Sequence, residues 1–335
     1  MDTTSHIIIG LGLGAFAQID PVVAESSLSH AVIIGTVFGS NAPDFDCVFK
    51  LNGNGSYYRN HRGWSHSLPA LPLWSFFVSG SIYTFFPGPS FFHLFFWTFL
   101  AVVIHVLLDL FNVYGTQVFR PFSAKWIAFD SIPLIDPYIL MLHIVGFALL
   151  PVFEAGKIFS FVYLLMALYI LIRTAYAWLI KKDLEDSFRN VIRIKLIPRA
   201  GIFKWDLLIE TEDHFLFGVY SVRNLIIELT LSKKVEHPEL VRESRNAQPV
   251  SDFLASTNYA YPFVQQRKNG YFVYWKDLRF RTNKFFPYLV VMFISSDLKS
   301  KVSYIGWLHS LKQYKKVLRK LEKNSGSLKG KETSY

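Results

Sequence analysis

Over its first 180 residues the chain alternates between apolar stretches and short polar breaks, and the stretch lengths are those of membrane segments. Residues 7–19 and 31–42 are apolar runs shorter than the roughly 20 residues a comfortable helical span needs. Both are glycine-rich (Gly10, Gly12 and Gly14 in one, Gly35 and Gly39 in the other), which suits a closely packed hairpin. Residues 43–67 are polar. Residues 68–87 and 91–112 are dense in Phe, Leu, Trp and Val, and Pro87-Gly88-Pro89 between them is a turn signal. A loop over 113–134 with Arg120, Lys125 and Asp130 leads to a second apolar pair, 135–153 and 158–180. Four spans are expected, with two shorter membrane segments ahead of them.

Past residue 183 the period changes. Ile192, Ile194 and Leu196 alternate with Arg193 and Lys195, and short aromatic or β-branched runs recur at 205–209, 215–220, 271–275 and 288–293. Residues 232–260 are polar, as in a loop or short helices. From 307 onward Leu308, Leu311, Tyr314, Leu318 and Leu321 recur at helical spacing among lysines. The expected architecture is an α-helical polytopic membrane domain of four to six segments over 1–182. A small β-rich cytoplasmic domain follows over 183–305, then a basic amphipathic helix and tail over 306–335.

Composition agrees with this division. Of the 335 residues 51% are hydrophobic and only 18% charged, with a mean hydropathy of +0.27, too apolar for an ordinary soluble enzyme. A single cysteine, Cys47, excludes an internal disulfide and a cysteine-rich metal cluster. The start carries no positive n-region, so no cleaved signal peptide is expected. Residues 1–180 hold 7 of the 35 basic residues and 9 of the 25 acidic ones, so the net charge of +10 comes from the second half. Lys181 and Lys182 after the last apolar run place that end in the cytoplasm. Threading backwards puts the 113–134 and 43–67 loops inside and the turns near 20–30, 88–90 and 154–157 outside.

This orientation changes the standing of several polar residues. His6, Asp44, Asp46, His61 and His66 all fall at the cytoplasmic face, and His105 and Asp109 lie in the last turns of the span ending near 112. Taken singly, each has an ordinary explanation. His105 and Asp109, four apart on one helix face, make a helix–helix hydrogen bond; Pro43-Asp44-Phe45-Asp46 makes a turn; His61 and His66 are loop residues. Together they place four groups of metal-competent side chains at one membrane face, where an unpaired Asp costs up to about 2.5–3.5 kcal/mol and a cation offsets that cost. Mixed imidazole and carboxylate donors suit Zn²⁺, with Mn²⁺ the alternative, as one or two ions. Such an ion lowers the pKa of a water it binds towards ~7; a spare carboxylate serves as base and Arg62 holds a phosphoryl oxygen. The candidate catalytic residues are Asp46, Arg62 and Ser65. No P-loop, dinucleotide fingerprint or Gly-x-Ser-x-Gly elbow is present.

The ordered motifs are an early His, Gly-Ser-Asn-Ala-Pro-Asp-Phe-Asp, Asn-His-Arg-Gly-Trp-Ser-His-Ser, and His-Val-Leu-Leu-Asp-Leu-Phe-Asn-Val-Tyr-Gly-Thr. They resemble the membrane-bound, metal-dependent hydrolases also labelled LexA-binding and inner-membrane-associated, over about residues 2–125. The order of ligand types is also similar to that of zinc-dependent phospholipase C, whose histidines and aspartates hold a metal cluster that hydrolyses phosphoesters. That resemblance implies His6, Asp44, His61 or His66, His105 and Asp109 as ligands. The later helical His-x-x-x-Glu pair of that phospholipase has no counterpart in residues 126–180.

The function expected is metal-dependent hydrolysis at the cytoplasmic membrane face, on a phosphoester or lipid-derived substrate. The expected ligands are His6, Asp44, His61, His66, His105 and Asp109, and the expected partners are membrane lipids. The rival is a non-enzymatic membrane regulator with a structural metal site, whose basic domain engages a protein or DNA. Nucleic acid is the weaker partner, because anionic headgroups face the same basic surface. A proton-coupled transporter fits less well, since the polar residues crowd one face.

Overall fold

The protein is described by a computed structural model covering residues 1–24, 28–86, 90–188, 190–282, 285–296 and 301–328. The expected Pro87-Gly88-Pro89 turn and the end of the basic tail lie outside the described residues. The chain forms two compact units, Met1–Asp46 with His61–Glu212 and Leu216–Thr230, and Cys47–Asn60 with Asp213–Phe215 and Leu231–Tyr335.

The first unit is built on helices α1 (Thr3–Phe16), α2 (Pro21–Ala24) and α3 (Leu28–Gly39). After the short α4 (Asn54–Asn60), which belongs to the second unit, it continues with α5 (Ala70–Phe85), α6 (Phe91–Phe111), α7 (Pro137–Leu149) and α8 (Ala155–Ser187). Among the described residues only α6 and α8 are long and apolar enough to cross a membrane; α1, α3, α5 and α7 are shorter apolar helices. The expectation of four to six segments therefore rests on two helices that meet the length requirement and four that do not.

Glycines bring the short helices close. A Cβ on Gly10 would lie 2.8 Å from the Thr36 carbonyl oxygen, and one on Gly39 would lie 2.9 Å from that of Thr98, so α1, α3 and α6 pack backbone to backbone. Leu13, Ala31, Val32, Leu94 and Ala101 fill the space around these approaches.

At 33 residues α8 is about 50 Å long, more than a bilayer needs. Its far end carries Ala177, Ile180 and Leu184 against Leu196, Trp205, Leu207 and Ile209 of a four-stranded antiparallel meander. The strands are β1 (Val191–Pro198), β2 (Lys204–Thr211), β3 (His214–Ser221) and β4 (Asn224–Ser232). Charge pins this joint. Asp130 is buried between Lys195 (2.5 Å) and Lys181 (3.2 Å), and buried Arg173 donates to the carbonyls of Ser131, Arg199 and Gly201. A buried charge is tolerated when its donors are spent in this way.

The second unit is an α/β domain. A second antiparallel meander runs β5 (Ala260–Arg267), β6 (Gly270–Asp277), β7 (Tyr288–Ser295) and β8 (Lys301–Trp307). The period of two is plain in β7, which is buried along its whole length. Val290, Met292 and Ile294 face α9 (Pro238–Ser244) and α10 (Gln248–Ser256), while Leu289, Val291 and Phe293 face α11 (Leu311–Leu328). The strand-rich stretch expected as one β-rich domain thus makes two sheets, the first within the helical unit, and the polar 232–260 stretch supplies α9 and α10. The apolar stripe of the basic helix, with Tyr314, Leu318 and Leu321, is spent on the sheet, so α11 presents its lysines outward rather than an apolar face to lipid.

Candidate metal centre

Four side chains from three stretches meet in the first unit. α6 turns His105 and Asp109 inward on one face, fully buried. A 3-10 segment, Ala42–Asn52, carries Asp44, and the short 3-10 turn Trp64–His66 carries His66. Runs of 3-10 helix beyond three or four residues are uncommon, and this one spans 11.

The donor atoms are His66 Nε2, His105 Nε2, Asp44 Oδ1 and Asp109 Oδ2. His66 Nε2 lies 3.2 Å from His105 Nε2, 3.5 Å from Asp44 Oδ1 and 3.4 Å from Asp109 Oδ2. His105 Nε2 lies 3.7 Å from each carboxylate oxygen. Nitrogen and oxygen ligands about 2.0–2.2 Å from a tetrahedral ion stand about 3.3–3.6 Å from one another, so these separations are those of a coordination cage. The two carboxylate oxygens are buried without a hydrogen-bond partner, which is costly unless a cation faces them. The residues present therefore fit a divalent ion.

The surrounding bonds aim each donor. His105 Nδ1 donates to the Ser40 carbonyl at 2.6 Å, leaving the Nε2 lone pair inward. Ser65 Oγ donates to Asp46 Oδ2 at 2.7 Å, so the 2.9 Å contact between Ser65 and His66 Nδ1 is a donation from the ring, again with Nε2 inward. The Oδ1 of Asp109 takes Asn112 Nδ2 (3.0 Å), Arg62 Nη2 (3.1 Å) and the amino group of Met1, and its Oδ2 is left to the cage.

The other expected residues surround this cage. His6 stacks on His105 with ring centroids 3.8 Å apart, its Nε2 3.6 Å from Asp109 Oδ1. Asp46 is engaged on both oxygens, by His61 Nδ1 (2.8 Å) on one and by the Arg62 amide (3.1 Å) and Ser65 on the other. His61 joins Asp44 and Asp46 in a second group of ligand-competent atoms, and the two groups share Asp44. Arg62 is buried, its Nη atoms bound to Asp109 and Asn112 and its Nε without a hydrogen-bond partner, and its backbone has a φ of 61°. That left-handed conformation is held by the Asp46 carboxylate at its N–H and the Gln117 amide at its carbonyl. Asn112, Ser40 and Met1 were not among the expected residues. Only Asn112 carried a local signal, three residues beyond Asp109 in the same motif.

Electrostatics outside the helices follow the same pattern. Burial pushes the Asp44 carboxyl up, but the His66 and His105 rings beside it outweigh this and hold the group well below the usual range. Burial pulls His66 down, and the nearby carboxylates of Asp109 and Asp44 raise it overall. Burial also pushes Asp46 up, and the His61 hydrogen bond brings it down instead.

Comparison with known proteins bears on the same residues, because residues 1–179 match the family described as "YdjM inner membrane protein". The chain belongs to that family. Every residue of the centre described above lies within the matched stretch. Residues 239–318 match a "YfhP C-terminal alpha/beta plait domain", which agrees with the second unit's sheet and helices. The uncharacterized protein YfhP of Bacillus subtilis (strain 168) is 36% identical over 324 residues, covering 95% of this chain and 99% of that protein. No solved structure matches the chain. The membrane-bound, metal-dependent hydrolase resemblance read from the motifs is consistent with this YdjM membership.

Proposed function

We propose that this YdjM-family protein is a multi-pass membrane hydrolase with its metal centre at the cytoplasmic face, acting on a phosphoester or lipid-derived substrate. The observation that supports this reading is the buried cage of His66, His105, Asp44 and Asp109, two of whose oxygens have no hydrogen-bond partner. Zinc suits these donors best, with manganese as the second choice. An ion there supplies Lewis acidity and an activated water. The chain's own groups divide the remaining work. Arg62 and Asn112 hold Asp109, Ser65 and Asp46 hold His66, and His6 lies beside Asp109 as a further ligand of a second ion. Asp44 has the one partly exposed side chain of the four, at 21%, and marks the side where water and substrate arrive. His61, at 24% exposed and paired with Asp46, stands on that side as a further ligand.

Four protein donors can also close a site, and closed sites are structural. That observation favours the second reading, a membrane regulator whose ion stiffens the fold. Metal analysis of purified full-length protein, with His105→Ala and Asp109→Ala beside it, tests the centre; wild-type protein free of zinc and manganese would sink both readings. A phosphoester and lipid screen on the loaded protein then separates them. Turnover lost in His66→Ala supports the hydrolase, whereas cellular function kept in His66→Ala but lost on removing residues 183–335 supports the regulator.

A further inference from the structure

The two halves of the metal centre are joined by an excursion of the chain. It leaves the helical unit at Asp46 and returns at His61, and Cys47–Asn60 belong to the α/β unit. The residues at the neck are bonded to each other, His61 Nδ1 to Asp46 Oδ1 at 2.8 Å. Both arms are regular structure. One is the 3-10 segment Ala42–Asn52, which carries Asp44 and Asp46 near its start and runs on without a break into the excursion. The other is α4, which ends at Asn60, immediately before His61.

Within the α/β unit, α4 is held at three points. Arg59 Nη2 pairs with Asp252 Oδ1 of α10 at 2.5 Å and donates to Ser251 Oγ at 3.3 Å. Tyr58 packs on the apolar cluster of α9, α10 and the sheet, its ring 5.1 Å from that of Tyr288, and burial pushes its hydroxyl up to about 12. Gly55 sits so close to α10 that a Cβ there would come within 2.3 Å of the Asp252 carboxylate.

We propose that the α/β unit is a positioning module for the metal centre, which by gripping residues 47–60 sets where Asp44 and Asp46 stand relative to His61 and His66. The coupling runs through covalently continuous, regular elements that end at the site. Arg59, Tyr58, Gly55 and Asp252 are positioning residues, and a change in α10 reaches the ion through them. This rests on the metal-centre reading, so its test has one arm that needs no ion.

The experiment uses the full chain in lipid nanodiscs as wild type, Arg59→Glu, Gly55→Val and the swap Arg59→Asp with Asp252→Arg. Cobalt(II) is titrated by its visible absorption, and amide exchange is followed without metal at residues 42–46 and 61–66. Arg59→Glu and Gly55→Val each weaken cobalt binding about tenfold, within the range of coupling along such elements, and speed exchange in both segments. The swap restores both. Unchanged exchange at 42–46 and 61–66, with β6 and β7 still protected, overturns the proposal whether or not cobalt binds. Faster exchange in a chain that takes up no cobalt supports the coupling and removes the metal reading instead. Should Gly55→Val lose protection in β6 and β7, the milder Arg59→Glu and its swap decide alone.

Discussion

The Nε2 atoms of His66 and His105 stand 3.2 Å apart, and in each ring the Nδ1 proton is already given to an acceptor, Ser65 Oγ in one and the Ser40 carbonyl in the other. Two imidazole lone pairs meeting beside two unpartnered carboxylate oxygens call for a positive charge between them. The expected outcome is at least one tightly held zinc per chain. Removing a donor by His105→Ala or Asp109→Ala should weaken it by more than the roughly 10–100-fold that loss of an outer-sphere partner costs. Competition against a chromogenic chelator measures both.

Asp46 and Ser65 do a different job from the four donors, and their variants should show it. Ser65→Ala deprives the His66 Nδ1 proton of its acceptor, and Asp46→Asn breaks a set of three donors, those of His61, Arg62 and Ser65. Each substitution should lower zinc affinity about 10–100-fold while the centre still fills at saturating metal. Complete loss of binding in Ser65→Ala would place that hydroxyl among the ligands instead.

How much of this was legible depended on the range of the interactions. The His105 and Asp109 pair follows from helical spacing alone, since residues four apart share a face. The charge pattern led to the expectation that His6, Asp44, His61 and His66 share one membrane face, but spacing could not separate donors from supports. Asp44 and Asp46 are two apart on one 3-10 segment, yet Asp44 leaves an oxygen to the cage and Asp46 gives both to His61, Arg62 and Ser65. That division is decided by partners 15 to 65 residues away. Arg62 looked like a free phosphoryl clamp, and its burial against Asp109 and Asn112 depends on a left-handed backbone no pattern of residue types announces. Residues 47–60 read as a polar loop because the surface that buries Tyr58 comes from residues beyond 240.

The close approach of α1 and α3 predicts an asymmetric pair of glycine variants. At Gly10 a side chain meets Ser40 Oγ and the backbone of Thr36 and Val37, which cannot move aside without parting the helices. Gly10→Val should cost about 1–3 kcal/mol, the usual penalty of overpacking, and lower zinc affinity because His6 rides on the same helix. Gly80, in α5, has nothing within 4 Å of its Cβ position, so Gly80→Ala should stabilise by about 0.5–1 kcal/mol through helix propensity. Thermal unfolding in one detergent compares them; equal melting temperatures would mean that α1 and α3 do not pack as described.

Lys276 predicts a pH dependence confined to the α/β unit. It lies half-buried on β6 with its ammonium 4.5 Å from the ring centre of Phe263 and 5.3 Å from that of Tyr274, and burial lowers its pKa from 10.5 to about 8. The ring faces favour the charged form, so desolvation is opposed but not cancelled. Between about pH 8 and 10.5 the unfolded chain holds the proton that the folded chain has released, so stability rises with pH through that window. Buried Tyr274 and Tyr288 work the other way. Burial raises both well above 10, so above pH 10 the folded chain keeps protons the unfolded chain loses, and stability falls. Amide protection of β6 and β7 should therefore peak between pH 9 and 10 in the wild type. Lys276→Met should remove the rising limb, increase protection at pH 7 and leave the fall above pH 10 in place. A wild-type profile flat from pH 7 to 9 would show that the ammonium remains solvated and that the rings carry no part of its surroundings.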